Sequence, residues 1–196
     1  MMKLVIVTIL LIPIISSAAG YPGPDNIGIY LTDDAVGDVV AGCSVPQFQS
    51  VQVHLCLSLP SASTIAAWES RIEIEGRGFN FFEGWYVNQG LNVGSGDDYI
   101  VGLGQDHLLP NAQGVVKLMT MNVTCLDTST PIRFFVKPVS DSVSFENSPG
   151  YLAGAGDLRT LEPSTGGFDM PVFVINGEMP IANESAAWGQ VKSLYR

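Results

Sequence analysis

The chain has 196 residues, of which 46% are hydrophobic, and 19 acidic against 9 basic side chains give a formal net charge of −10 at pH 7. That length suffices for one domain with a hydrophobic core. The acidic balance excludes electrostatic binding of nucleic acid, which requires a basic surface to neutralise phosphates.

The N-terminus has the order of residues that is typical of a secretory signal peptide. Lys3 is followed by an apolar run from Leu4 to Ile15 and by small residues at positions 16–19. A membrane-spanning helix needs about 20 apolar residues, so this run is too short to span a bilayer. We therefore expect residues 1–19 to be removed near Ala19, leaving a secreted extracellular or periplasmic protein with no membrane span. A retained anchor is the alternative.

The remaining chain predicts about eight short strands and one domain over residues 20–182. Several segments alternate between apolar and polar residues, and turns rich in Gly and Pro separate them. The predicted strands are IGIYL, VQVHLCLSL, IAAWESRIEIEG, FNFFEGWYV, YIVGLG, VVKLMTMNVTCL, IRFFVKPV and MPVFVIN. Residues 140–170 are expected to form a long irregular connection. This pattern predicts an all-β fold, an antiparallel sandwich of two sheets.

Three cysteines allow three different disulfides in an exported chain. In VQVHLCLSL, alternation places Cys56 on the polar side with His54, whereas Cys125 shares a side with Met121. This disfavours a bond between Cys56 and Cys125. Cys43–Cys125 is the favoured pairing, and three reduced thiols are the alternative.

The last segment, residues 183–196, predicts a short amphipathic C-terminal helix. Apolar residues recur there at helical spacing, namely Trp188, Val191, Leu194 and Tyr195. An isolated helix of this length is unstable, so it either docks on the sandwich or is recognised by a partner.

Three features of the chain resemble a group of uncharacterised secreted bacterial proteins. They are the run of strand cores, the segment YLAGAGDLRTLEPSTGG leading to PVFVING, and the ending WGQVKSLYR. The layout is similar to cohesin-like and carbohydrate-binding-module-like sandwiches, within the wider immunoglobulin and jelly-roll class. The resemblance implies a fold; it implies no ligand and no binding residue.

The sequence contains no motif that predicts a catalytic site. His54 and His107 form no zinc-binding pair, and neither a G-x-S-x-G elbow nor a phosphate-binding loop is present. Glu73 and Glu75 would lie side by side on one strand face, as a glycoside hydrolase requires of two carboxyl groups. Arg71 shares that face, which favours a solvated charged surface, so we expect no catalytic residues.

FNFFEGWYV concentrates five aromatic rings in nine positions. Strict alternation predicts a core face comprising Phe79, Phe81, Trp85 and Val87. The opposite face is then a candidate sugar platform, because pyranose rings stack on aromatic planes while amides take the hydroxyls. Its predicted residues are Asn80, Phe82, Tyr86 and Asn88. Burial of this second face by a loop is the alternative.

Acidic, glycine-containing loops make calcium the only cofactor that the sequence suggests. The candidate ligands are Asp97 and Asp98 in GSGDD and Asp157 in GAGD. Calcium takes six to eight oxygen ligands, which such loops supply. Asp and Gly are also ordinary turn residues, which is the alternative.

These observations predict a secreted, non-catalytic extracellular module that binds a ligand or forms a structural surface component. The expected partner is a polysaccharide or another extracellular protein. A carbohydrate-binding module is the first alternative, and a secreted glycoside hydrolase is the second.

Overall fold

The computed structural model describes residues 23–34 and 42–178. Within these ranges the chain forms strands and turns and no helix, and hence no helix of a length and hydropathy suited to a membrane. The predicted signal peptide and the predicted C-terminal helix lie outside the described residues.

The described residues contain fourteen strands, which belong to two sheets. In chain order they are β1 Asn26–Tyr30, β2 Gly42–Cys43, β3 Gln49–Ser58, β4 Ile65–Glu75, β5 Phe81–Phe82, β6 Tyr86–Val87, β7 Leu91–Asn92, β8 Asp98–Gly102, β9 Val115–Cys125, β10 Ile132–Lys137, β11 Gly150–Ala153, β12 Leu158–Thr160, β13 Glu162–Pro163 and β14 Phe173–Ile175.

Sheet A is built around the long antiparallel pair β3 and β9, whose register runs from Gln49 opposite Cys125 to Ser58 opposite Val115. Its strand order is β13-β1-β3-β9-β5, and β6 also pairs with β9. The short strands β5 and β6 follow one another along the same side of β9. The segment FNFFEGWYV therefore forms an edge of sheet A.

Sheet B is built around β4. Strand β8 pairs with one side of β4, and β7 pairs with β8. Strands β10 and β11 pair in succession with the other side, separated by residues 138–149. Strand β14 pairs with β10, β2 pairs with β14, and β12 pairs with β11.

The core lies between the two sheets and contains large, fully buried side chains. Trp68, Phe134, Tyr151 and Phe173 are each at most 1% exposed. Burying a side chain of this size stabilises the fold by about 1.5–3 kcal/mol. Trp68 and Ile72 of β4 belong to this core.

Two features of the fold differ from the sequence prediction. The sheets are mixed, because β13 runs parallel to β1 and β14 runs parallel to β2. Part of the predicted irregular connection, residues 150–163, forms β11, β12 and β13. Strands of two to four residues are too short to show alternation, and pairing with distant strands determines them.

Candidate binding surface

The edge strand formed by β5 and β6 contains a one-residue bulge. Phe82 pairs with Val123 and Tyr86 pairs with Thr120, so four steps along the edge strand match three steps along β9. Gly84 lies inside this bulge with φ of 87°, a conformation that glycine adopts without strain. The extra residue reverses which side chains face the core.

The bulge makes the predicted assignment of faces partly wrong. Phe79 and Phe81 were expected in the core, yet they are 86% and 57% exposed. Trp85 and Val87 do pack against the core, and Trp85 meets the ring of Phe134 edge-on at 6.4 Å. The exposed rings therefore differ from those that strict alternation predicts.

The four residues predicted to form a sugar platform do not share one surface. Phe82 packs partly against the core under the guanidinium of Arg77, whereas Tyr86 is 74% exposed. Asn80 Oδ1 accepts hydrogen bonds from the backbone N–H groups of residues 126 and 127, at 2.8 and 2.9 Å. Asn88 Nδ2 donates to the carbonyl of Lys117 at 3.2 Å. Asn88 thus attaches the edge strand to β9, and Asn80 attaches it to the residues that follow β9.

The outer face of sheet A carries three cross-strand pairs between β3 and β9, which we call the polar ladder. Their members bond to each other at 2.7, 3.1 and 3.0 Å. They are Ser50–Thr124, Gln52–Asn122 and His54–Thr120. Asn122 also donates to Glu83 at 2.7 Å, which joins the ladder to the edge strand. Each of these side chains thus has a hydrogen-bond partner on the facing strand.

Four exposed aromatic rings border the polar ladder, and we call them the aromatic edge: Phe48, Phe79, Phe81 and Tyr86. Phe48 is 71% exposed, and its N–H donates to the carbonyl of Cys125 at 2.6 Å, which places it at the end of β9. Phe81 pairs with Thr124 near that same end. Two strand spacings, about 10 Å, separate β3 from the edge strand. Phe48 was not predicted from the sequence as part of a binding surface, because it lies outside any aromatic run.

His54, Lys117 and Asp33 influence one another electrostatically on this face. Burial lowers the pKa of His54 below its usual 6.5; Asp33 acts in the opposite direction and Lys117 reinforces the effect. Lys117 Nζ lies 2.9 Å from the Asp33 carboxylate. The hydrogen bond from Lys117 lowers the pKa of Asp33. The ladder itself is neutral when His54 is unprotonated.

The predicted carboxylate pair on β4 forms part of a charged surface. Glu73 bonds to Lys137 at 2.6 Å, and Glu75 is exposed. Glu69 is buried and accepts a hydrogen bond from the Ser142 hydroxyl. Glu73 is therefore engaged in an ion pair on the face where it was predicted.

The three aspartates predicted to bind calcium do not come together. Asp98 pairs with Arg71 in register, whereas Asp157 follows β11, whose Ala153 pairs with Ile65 near the start of β4. Asp97 and Asp157 each contact an arginine, at 3.5 and 3.6 Å. Across residues 23–34 and 42–178, no three His, Cys, Asp or Glu side chains are grouped as metal ligands.

A shallow apolar groove of about 530 Å³ lies on the outer face of sheet B. Its lining includes Ala67, Leu91, Val93, Ile100, Leu152 and Leu158. This groove was not predicted from the sequence. Half of the residues named here lie in β7, β11 and β12, and these strands are too short to show an alternating pattern.

No protein-family model and no curated protein matches the chain. Among solved structures it is similar to the sixth cohesin of Acetivibrio cellulolyticus scaffoldin B, determined in complex with a Cel5 dockerin. The TM-score is 0.49 and the identity 9%, covering 80% of this chain and 100% of that one. A cohesin module from a Clostridium perfringens family 33 glycoside hydrolase gives a TM-score of 0.43 and 13% identity, covering 70% and 89%. A non-cellulosomal cohesin from Archaeoglobus fulgidus gives 0.40 and 11%, covering 63% and 80%.

Proposed function

We propose that this protein is a secreted, non-catalytic module that binds another extracellular protein through the aromatic edge of sheet A. The observation that carries the proposal is the exposure of the four rings, from 57% for Phe81 to 86% for Phe79. Water-exposed aromatic groups in one region of a surface are characteristic of interaction sites. The sequence of the first 19 residues supports export.

The chemistry of the surface favours a protein over a sugar. Three of the four rings are phenylalanines, which offer no hydrogen-bonding group. The neighbouring polar side chains already bond to each other along the polar ladder, so a sugar hydroxyl would compete with these bonds. Apolar rings beside polar groups that are hydrogen-bonded within the protein resemble the centre of a protein interface, where aromatic side chains are enriched.

A polysaccharide is the second candidate ligand, and the exposure of the Tyr86 ring favours it. Its ring is 74% exposed and carries a hydroxyl, and it lies on the same edge as the Glu83 carboxylate. A single ring with nearby polar groups provides a minimal stacking site for a pyranose. This candidate retains Tyr86 from the predicted platform and leaves out Phe82.

The proposal is tested by affinity capture from the extracellular fraction of the source organism. The immobilised baits are the wild type, Phe79→Ser/Phe81→Ser, and Leu109→Ser as a control, since Leu109 is 67% exposed and lies outside the aromatic edge. We expect one protein to be retained by the wild type and the control and lost from the double variant. Its binding is then measured with purified components, where the double variant should weaken affinity at least about tenfold.

A parallel binding assay on insoluble polysaccharides separates the two ligand classes. Retention that Tyr86→Ala abolishes and Phe79→Ser/Phe81→Ser leaves intact would replace the protein-binding proposal with the carbohydrate one. Equal capture of the partner by all three baits would overturn the role of the aromatic edge. Circular dichroism of each variant confirms that the fold is retained.

A further inference from the structure

Cys43 and Cys125 approach each other from opposite sheets at one end of the sandwich. Cys125 is the last residue of β9 in sheet A, is fully buried and belongs to the core cluster. Cys43 is the last residue of β2 in sheet B, is half-buried and packs against that same cluster. Both thiols are free in this structure.

Asn176 contacts both cysteines. Its N–H donates to the carbonyl of Cys43 at 2.9 Å, and its Nδ2 lies 3.7 Å from Cys125 Sγ. Its amide also bonds to both backbone groups of Val45, at 2.7 and 3.0 Å. One side chain therefore fixes β2 beside the end of β9. The pKa values agree with this proximity, because burial, followed by the neighbouring Cys125 thiol, raises the pKa of Cys43 to about 11.

We propose that Cys43 and Cys125 form a disulfide that ties sheet B to sheet A after export. Cys56 takes no part in it, because it lies on the outer face of sheet A in a separate cluster with Tyr30 and Val115. The bond closes a loop over residues 43–125. A crosslink across so long a loop restricts the unfolded chain strongly.

The bond forms by thiol–disulfide exchange with a small-molecule disulfide such as oxidised glutathione. The thiolate of Cys43, the less buried of the two, attacks one sulfur of the oxidant and releases the first glutathione thiolate. Cys125 then loses its proton to solvent, and its sulfur attacks Cys43 Sγ and displaces the second thiolate. Two thiols are thus oxidised to a disulfide, and one glutathione disulfide is reduced to two thiols.

The test begins with protein exported into an oxidising compartment, unfolded and alkylated without reductant. We expect one alkyl group, on Cys56, and, before alkylation, an intact mass two hydrogen atoms below that of the same chain after reduction. Chymotrypsin cuts after Phe48 and so separates Cys43 from Cys56. The digest should contain a linked pair of peptides that carry Cys43 and Cys125.

A thermal measurement distinguishes a structural crosslink from simple thiol packing. Reductant should lower the Tm of the wild type and of Cys56→Ser and leave the Tm of Cys43→Ser unchanged. Cys43→Ser is preferred to a change at the fully buried Cys125, which disturbs packing by itself. Three alkylated cysteines in the oxidised protein, or a linked peptide that contains Cys56, would overturn the proposal.

Discussion

At the scale of single residues, His54 shows that alternation in the sequence predicts the side of a strand on which a residue lies but not how deeply that residue is buried. The pattern of β3 correctly places His54 on the polar side of the strand. The side chain is nevertheless only 8% exposed, between Tyr30 on β1 and Thr120 on β9. That burial depends on strands that are distant in sequence, so no local pattern reveals it. The same holds for Asn176, whose contacts with β2 and β9 follow only from the pairing of distant strands.

The lowered pKa of His54 predicts a specific loss of stability in acid. Burial disfavours the imidazolium, so the folded protein binds this proton less readily than the unfolded chain does. Above the ordinary pKa of 6.5, His54 is neutral in both the folded and the unfolded state and costs no stability. As the pH falls below 6.5, the unfolded chain binds the proton first, so the free energy of unfolding decreases. We expect the free energy of unfolding to fall with pH more steeply in the wild type than in His54→Gln. The difference in slope is at most about 1.4 kcal/mol per pH unit.

Urea unfolding of both proteins between pH 7.5 and 5.5 measures this difference, over a range of about two units around the ordinary pKa of histidine. Groups other than His54 contribute equally to both proteins, so they cancel in the comparison. A difference between the two proteins that stays constant across the range would show that His54 binds protons equally well in both states.

At the scale of strands, the longest elements follow from sequence and the edge strand does not. Alternation in β3, β4 and β9 identified the strands and their inner faces, because each runs for ten residues or more. In FNFFEGWYV the strand was predicted; its faces were wrong before the bulge at Gly84 and right after it, because the bulge changes the phase of the alternation. The glycine was the available signal, since an isolated Gly within a strand pattern indicates a bulge. That one residue therefore decides which positions of the sequence pattern lie on each face.

Deleting Gly84 should leave the two faces of the edge strand unchanged. Without the extra residue, three steps from Phe82 to Tyr86 would match the three steps from Val123 to Thr120, so Trp85 would still face inward and Tyr86 outward. Because Trp85 keeps its contact with Phe134, we expect the deletion to cost less than the roughly 3–5 kcal/mol that the loss of a large core aromatic side chain costs. Urea unfolding monitored by tryptophan fluorescence measures the change in stability, and the emission maximum of the folded protein should stay that of the wild type.

Gly84→Ala is the matched control, because it keeps the number of residues. A Cβ at this position meets no atom within 4 Å, so only the positive φ is strained. We expect a cost of about 1–2 kcal/mol and an unchanged emission maximum. An emission maximum shifted towards that of water-exposed indole in the deletion variant, but not in this control, would mean that pairing with β9 does not determine the faces of the edge strand.

At the scale of the whole molecule, net charge and exposed rings act against each other. A charge of −10 repels a second copy, whereas the aromatic edge presents apolar surface that association would bury. The sequence predicts the charge and the two-sheet fold well, because both depend on averages over many residues. It does not predict the aromatic edge, which results from one bulge and one turn. Their balance determines how the protein behaves as pH changes.

The protein should therefore remain dispersed at pH 7 and associate near its isoelectric point of about 4.4. Near that pH the repulsion vanishes while the rings stay apolar, so light scattering at low salt should rise steeply. In Phe79→Ser/Phe81→Ser the rise should be smaller, and in Leu109→Ser it should match the wild type. At pH 7, salt at 0.15 M screens the charge repulsion beyond about 8 Å. Adding salt at this pH should therefore increase association of the wild type, and it should increase association of the double variant less. Equal scattering by the wild type and the double variant at pH 4.4 would show that another surface, such as the groove on sheet B, drives self-association.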